Sequence, residues 1–179
     1  HDFDCIVSDI AMPVMDGVQL CIKVKKDILL SHIPVILLTA KDSVEEKISG
    51  FGAGADDYIT KPFDMKLLIT RITNIIKQRQ DLKASFHKHL DITPSMVTIT
   101  SIDEQFMQKC LSLIEDNIAD SEYNVENLCN DLSMSRPSVY KKIKSLTGLS
   151  VVAFIRSIRM KRAAQLLLQD GSSIKNVMY

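Results

Sequence analysis

Over the first third of this 179-residue chain, short apolar runs alternate with amphipathic stretches; beyond it, amphipathic stretches follow one another. Residues 3–8 and 57–60 have the length and make-up of short strands, and residues 34–38 form the continuous apolar run of a strand buried on both faces. Residues 17–26 set Val18, Cys21 and Ile22 at helical spacing. Residues 43–52 predict a further helix, with Ser43 as N-cap and Glu46 as its capping-box partner, stopped by Gly50, Gly52 and Gly54. The order β-α-β-α-β predicts a parallel sheet with right-handed crossovers.

From Asp64 to residue 90 the pattern turns helical. Leu68, Ile72, Ile75, Arg79, Leu82 and Phe86 alternate spacings of four and three, a heptad seam longer than a sheet needs for cover. Its first half predicts packing on the sheet, and its second half a two-helix dimer contact whose register Arg79 would fix. His87 and His89, two apart, do not share a helix face, so no metal site is expected there. Residues 91–100 break the helix at Pro94 and alternate Val97 and Ile99 with threonines, as an extended linker. Ser101 then caps a helix with Glu104 three positions on, and Phe106, Cys110, Leu113, Ile114 and Ile118 form its inner stripe. Asn124 caps a short helix to Leu132, Ser133-Met134 makes a turn, and Ser135 caps a helix that ends at Leu146, before Thr147-Gly148. Two short helices joined by a tight turn, the second bearing Arg136, Lys141, Lys142 and Lys144, describe a helix-turn-helix.

Charge separates the two halves, although the chain is neutral overall. Residues 1–63 carry ten acidic and six basic side chains, and residues 124–168 two acidic and eight basic. An acidic front and a basic back suggest two jobs, the second on a polyanion. No apolar run approaches the ~18 residues of a membrane span and no signal-like leader precedes one, so a soluble chain is expected. Cys5, Cys21, Cys110 and Cys129 lack any Cys-x-x-Cys spacing and are expected as reduced thiols in a cytoplasmic protein.

Three reactive side chains fall where the three strands end: Asp9, Thr39 and Lys61. Their flanks read Asp9-Ile-Ala-Met-Pro-Val-Met-Asp-Gly17, Thr39-Ala40 and Lys61-Pro62-Phe63. In an open parallel sheet such ends line one crevice. A carboxylate, a hydroxyl and an ammonium meeting there can accept and hold a phosphoryl group. Singly, each has a plain structural reading, and a turn alone explains Asp16-Gly17. Together, in this order and with these flanks, they resemble the receiver domain of bacterial response regulators. The resemblance implies Asp9 as phosphoacceptor, Thr39 as donor to the phosphoryl group, Lys61 as its cation and Tyr58 as an aromatic switch. It further implies Mg2+, held by Asp9, the Ala11 backbone carbonyl and an acidic pair after the family's first strand, and a phosphohistidine donor. The strands present correspond to the third to fifth of that family, so the magnesium site is expected to be incomplete. Haloacid-dehalogenase-type hydrolases need a second Asp two residues after the nucleophile, where this chain has Ala11.

The back half carries a second likeness. Met134-Ser135-Arg136, Leu146-Thr147-Gly148-Leu149-Ser150, Phe154-Ile155-Arg156 and Arg159-Met160-Lys161-Arg162-Ala163-Ala164 resemble the AraC/XylS transcription-factor family. In that family residues 151–168 would be the long helix joining two helix-turn-helix units, with Arg159 and Ala163-Ala164 packing them together. Residues 172–179 would begin the second unit, whose recognition helix is absent. The DNA-facing residues expected on the first unit are Ser135, Arg136, Pro137, Ser138, Tyr140, Lys141 and Lys144. By resemblance Pro137, Tyr140 and Lys141 fall at base-reading positions, with Arg136 and Lys144 as phosphate partners. Val139, Ile143 and Leu146 face the core.

The expected fold is α/β followed by all-α: a partial flavodoxin-like receiver over residues 1–80, a helical connector over 81–100, and an AraC-type helix-turn-helix domain over 101–179. The expected function is a phosphorylation-controlled transcriptional regulator in a two-component phosphorelay, binding double-stranded DNA, phosphorylated by a histidine kinase and acting as a homodimer. The domain order resembles the C-terminal end of hybrid sensor regulators anchored at the inner membrane, and a free-standing regulator fits the same residues. No enzyme activity is expected beyond self-phosphorylation at Asp9. Two alternatives stay open: a pseudo-receiver that only dimerises a DNA binder, and a phosphatase-like domain with turnover.

Overall fold

The computed structural model describes residues 3–40, 52–88 and 100–170. Most of the helix expected over residues 43–52, the linker before Thr100, the side chains of Phe86 and His87, His89 and residues 172–179 lie outside the described residues. The chain divides into two compact units, His1–Asp81 and Leu82–Tyr179.

In the first unit, β1 (Ile6–Asp9), β2 (Val35–Ala40) and β3 (Asp57–Lys61) form a parallel sheet in the order β1-β2-β3. β1 starts three residues later than the apolar run suggested, because its ladder starts where β2 does. Pro34 has no N–H to give, its carbonyl accepts from Ile6 (2.9 Å), and the paired register opens with Ile6 opposite Val35. Helices α1 (Gly17–Lys26) and α2 (Met65–Lys88) supply the cover. Val35 and Leu37 pack with Cys21 and Val24 of α1, while Ile36 and Ile59 pack with Leu68 of α2. β2 is therefore buried on both faces, as its unbroken apolar run requires.

A buried charge cluster closes the sheet at the start of β3. The Lys25 ammonium at the tail of α1 donates to Asp56 (2.7 Å) and to the Ile33 carbonyl (2.9 Å). The same Asp56 oxygen accepts from the Val35 N–H (2.8 Å), and its other oxygen from Arg79 of α2 (2.5 Å). Arg79 was expected on a dimer seam. It is instead engaged inside its own unit, because pairing a half-buried guanidinium with a half-buried carboxylate satisfies both groups.

The second unit packs α3 (Ser101–Asp116), α4 (Val125–Asp131), α5 (Arg136–Thr147) and α6 (Val151–Asp170). Its core joins Phe106, Met107, Cys110 and Ile114 to Leu128, Val139, Ile143, Phe154 and Ile158. Asn124 and Ser135 cap their helices as expected, and Gly148 ends α5 at φ 77°, a conformation glycine adopts without strain. The cap of α3 falls one residue earlier than expected: Thr100 Oγ1 accepts from the Asp103 N–H (3.2 Å), leaving Ser101 as the first helical residue. Lys142 does not join the basic surface; it is wholly buried and ion-paired with Asp103 of α3. Arg159 clasps the turn between α3 and α4, donating to the carbonyls of Asp120 (2.6 Å) and Tyr123 (3.3 Å).

Candidate functional site

The first candidate site lies at the ends of the three strands. Asp9 closes β1, Thr39 and Ala40 close β2, and Lys61 closes β3, with Asp9 level with Leu38 and Ala40 level with Lys61. The Lys61 ammonium donates directly to Asp9 Oδ2, and the Ala11 N–H donates to Oδ1 (3.3 Å). That bond from Lys61 is the main reason the Asp9 carboxyl is held below its ordinary pKa. The two side chains stay 35% and 42% exposed, so an incoming donor can reach the carboxylate. Thr39 is buried, and its hydroxyl donates to the Ala40 carbonyl (3.2 Å). The Tyr58 ring packs against the α1-facing core with its hydroxyl out of solvent, and burial pushes that phenol up to about 12.

The loop after β1 holds this end in shape. Asp16 caps α1 by accepting from the Gln19 N–H (2.7 Å), and the Gly17 N–H donates to the Ile10 carbonyl (3.0 Å). A Cβ on Gly17 would stand 2.2 Å from the Asp9 carbonyl oxygen, so only glycine lets α1 start against the end of β1. Sequence reasoning gave Gly17 to the turn alone and missed this contact. Val14 in the same loop has φ 72°, a strained conformation for a β-branched residue.

Magnesium takes oxygen ligands in octahedral geometry and keeps several of them as water. Asp9 and the Ala11 carbonyl are candidate ligands. Among the described residues, no group of three or more His, Cys, Asp and Glu side chains could hold a metal ion. The described residues thus fit part of a magnesium site and not a whole one.

The second candidate site is the helix-turn-helix formed by α4 and α5. Ser135, Arg136, Pro137, Lys141 and Lys144 are exposed, and Ser138 and Tyr140 half-buried, while Val139, Ile143 and Leu146 point into the core. The Ser135 hydroxyl accepts from the Ser138 N–H (3.4 Å) and shares a hydrogen bond with the Ser138 hydroxyl (2.8 Å). Pro137 sits in the first turn, where its missing N–H costs nothing. The Arg136 guanidinium lies 5.5 Å from the centre of the Tyr140 ring and donates to its hydroxyl (3.5 Å). Glu126 of α4 stands 3.8 Å from Arg136. Among the described residues no helix is long and apolar enough to cross a membrane.

Residues 1–73 match the response regulator receiver domain family, and residues 128–179 match a helix-turn-helix domain family. Over 174 residues the chain is 45% identical to a Formosa agariphila protein named Histidine kinase P4, an overlap of 97% of this chain and 13% of that protein. It is 29% identical over 168 residues to the nisin biosynthesis regulatory protein NisR of Lactococcus lactis, covering 90% of this chain and 72% of NisR. A solved putative response regulator from Chloroflexus aurantiacus is 39% identical, with a TM-score of 0.40, covering 41% of this chain and 61% of that one. The chain thus spans 13% of the length of the Formosa agariphila relative. A receiver domain over residues 1–73 is thus followed by a helix-turn-helix domain over residues 128–179.

Proposed function

We propose that this chain is a phosphorylation-controlled, sequence-specific transcriptional regulator whose receiver accepts a phosphoryl group at Asp9. The supporting observation is the exposed Asp9 carboxylate, ion-paired with Lys61 at the C-terminal ends of a parallel sheet. An Asp9 oxygen attacks the phosphorus of a phosphohistidine, the P–N bond breaks with its electron pair going to the imidazole nitrogen, and that nitrogen takes up a proton from solvent. The product is an acyl phosphate on Asp9. Lys61, already bonded to the carboxylate, then pairs with a phosphoryl oxygen. Thr39 exchanges its bond to the Ala40 carbonyl for one to the phosphoryl group, and Tyr58 on the same strand as Lys61 repacks with it. Magnesium, which receiver domains use, would take Asp9 and the Ala11 carbonyl among its oxygen ligands and neutralise charge.

The altered receiver surface favours a homodimer or releases the helix-turn-helix for double-stranded DNA. The motifs of α5 and α6 support an AraC/XylS-type assignment. The overlap with a small part of a protein named as a histidine kinase supports a kinase donor within the same polypeptide.

The test is DNA binding by the full chain with and without beryllofluoride and magnesium, with Asp9→Asn as control. Binding that tightens and loses its response in the variant supports the switch. Equal binding in every arm overturns it in favour of a receiver that only dimerises the DNA binder.

A further inference from the structure

The recognition-helix contacts change which of its side chains is able to read a base. Of the seven candidates, Ser135 and Ser138 share one hydroxyl–hydroxyl bond and Ser135 also accepts from the Ser138 N–H, which leaves a single O–H donor between them. Pro137 has no side-chain donor. The Tyr140 hydroxyl accepts from Arg136 and keeps a single O–H donor, and its ring is partly packed on the core. That leaves Arg136, Lys141 and Lys144 as cationic donors on the exposed side. Among these, only arginine offers a planar fork that matches two acceptors at once.

We infer that Arg136 is the guanine-reading residue of this helix, donating in bidentate fashion to O6 and N7 in the major groove, and that Tyr140 is its positioning residue and not itself a reader. The ring beneath the guanidinium limits its rotamers before DNA arrives, lowering the ordering cost of the contact. Glu126 is no obstacle. Its pairing with Arg136 joins two well-exposed side chains at 3.8 Å, which DNA displaces at little cost. The inference rests on the DNA-binding reading above and reassigns Arg136, which the sequence placed among the phosphate partners.

The experiment selects binders of the full chain from a library of randomised duplexes, and repeats the selection with Arg136→Lys, Tyr140→Leu and Tyr140→Phe. The native chain should enrich a site with one position strongly biased to guanine. Arg136→Lys keeps the charge and loses the fork, so that bias should fall by about tenfold while affinity for random duplex changes less than about twofold. Tyr140→Leu keeps the apolar contact and removes the ring face, and should also erode the guanine bias. Tyr140→Phe should retain most of it. A guanine bias unchanged in Arg136→Lys overturns the inference and leaves the DNA-binding reading intact. So does uniform weakening on every duplex, the mark of a phosphate contact. A native chain that enriches no sequence overturns both.

Discussion

Lys142 of α5 and Asp103 of α3 meet as an ion pair with neither side chain exposed to solvent. Removing one member leaves the other buried and uncompensated, at about 3–5 kcal/mol. Asp103→Ala should therefore lower the urea stability of the helical unit by that order. Asp103→Leu combined with Lys142→Met should recover most of the loss. Equal stability of Asp103→Ala and the native chain would mean that the pair holds nothing together.

The Asp9 carboxyl is held down chiefly by the hydrogen bond from Lys61. A depressed folded-state pKa adds stability that is fully present above the unfolded value, about 4, and is lost as pH falls through the lower folded value. Lys61→Met should move the Asp9 titration upward, toward that unfolded value. It should also flatten the part of the acid limb of stability that Asp9 provides. Carboxyl carbon NMR of Asp9 reads the first effect and urea melts against pH the second.

Gly17→Ala places a methyl group 2.2 Å from the Asp9 carbonyl oxygen. Overpacking of this kind costs about 1–3 kcal/mol and should push the end of β1 away from its seat. The expected signature is a shifted Asp9 resonance with slower phosphorylation by acetyl phosphate. Val14→Gly should do the reverse for stability, adding about 1 kcal/mol by relieving a left-handed valine whose side chain makes no buried contact.

Arg79→Leu removes one of the partners of Asp56 and leaves Lys25 and the Val35 N–H in place. Loss of a single charged hydrogen bond of this kind costs about 1.5–3 kcal/mol. Amide exchange should quicken first along residues 76–84 of α2, and an unchanged exchange pattern would show that Arg79 does not hold that segment.

Lys141→Ala and Lys144→Ala should each reduce the slope of log affinity against log salt by about 0.9, equally on all duplexes. A loss confined to one sequence would make either lysine a base contact.

The chain pattern carried the architecture because apolar runs and caps act locally. β2 could only be a strand covered on both faces, and Asn124, Ser135 and Gly148 mark helix ends by their own side-chain or backbone chemistry. What it hid were the Lys25–Asp56, Arg79–Asp56 and Lys142–Asp103 pairs, whose partners lie 31, 23 and 39 positions apart. A signal was present nonetheless. Lys142 interrupts the stripe Val139, Ile143, Leu146, Asp103 opens the stripe Phe106, Met107, Cys110, and Lys25 extends Val18, Cys21, Ile22. Arg79 likewise follows Leu68, Ile72 and Ile75. A charge set into an apolar stripe at helical spacing points to a buried partner, and reading Lys142 as surface charge overlooked that rule. The Gly17 contact left no such trace, since Asp-Gly after a loop reads the same whether or not a carbonyl lies behind it.

The four cysteines offer a use that depends on their placement. Burial raises the pKa of every one, with Cys110 pushed up to about 12, so little thiolate exists at neutral pH to react. Cys5 and Cys21 lie in one unit and Cys110 and Cys129 in the other. Alkylation of the buried Cys21, Cys110 and Cys129 therefore proceeds only as fast as each unit opens. Peptide mapping of the labelled thiols would time the opening of the two halves separately, in one tube and without any engineered probe.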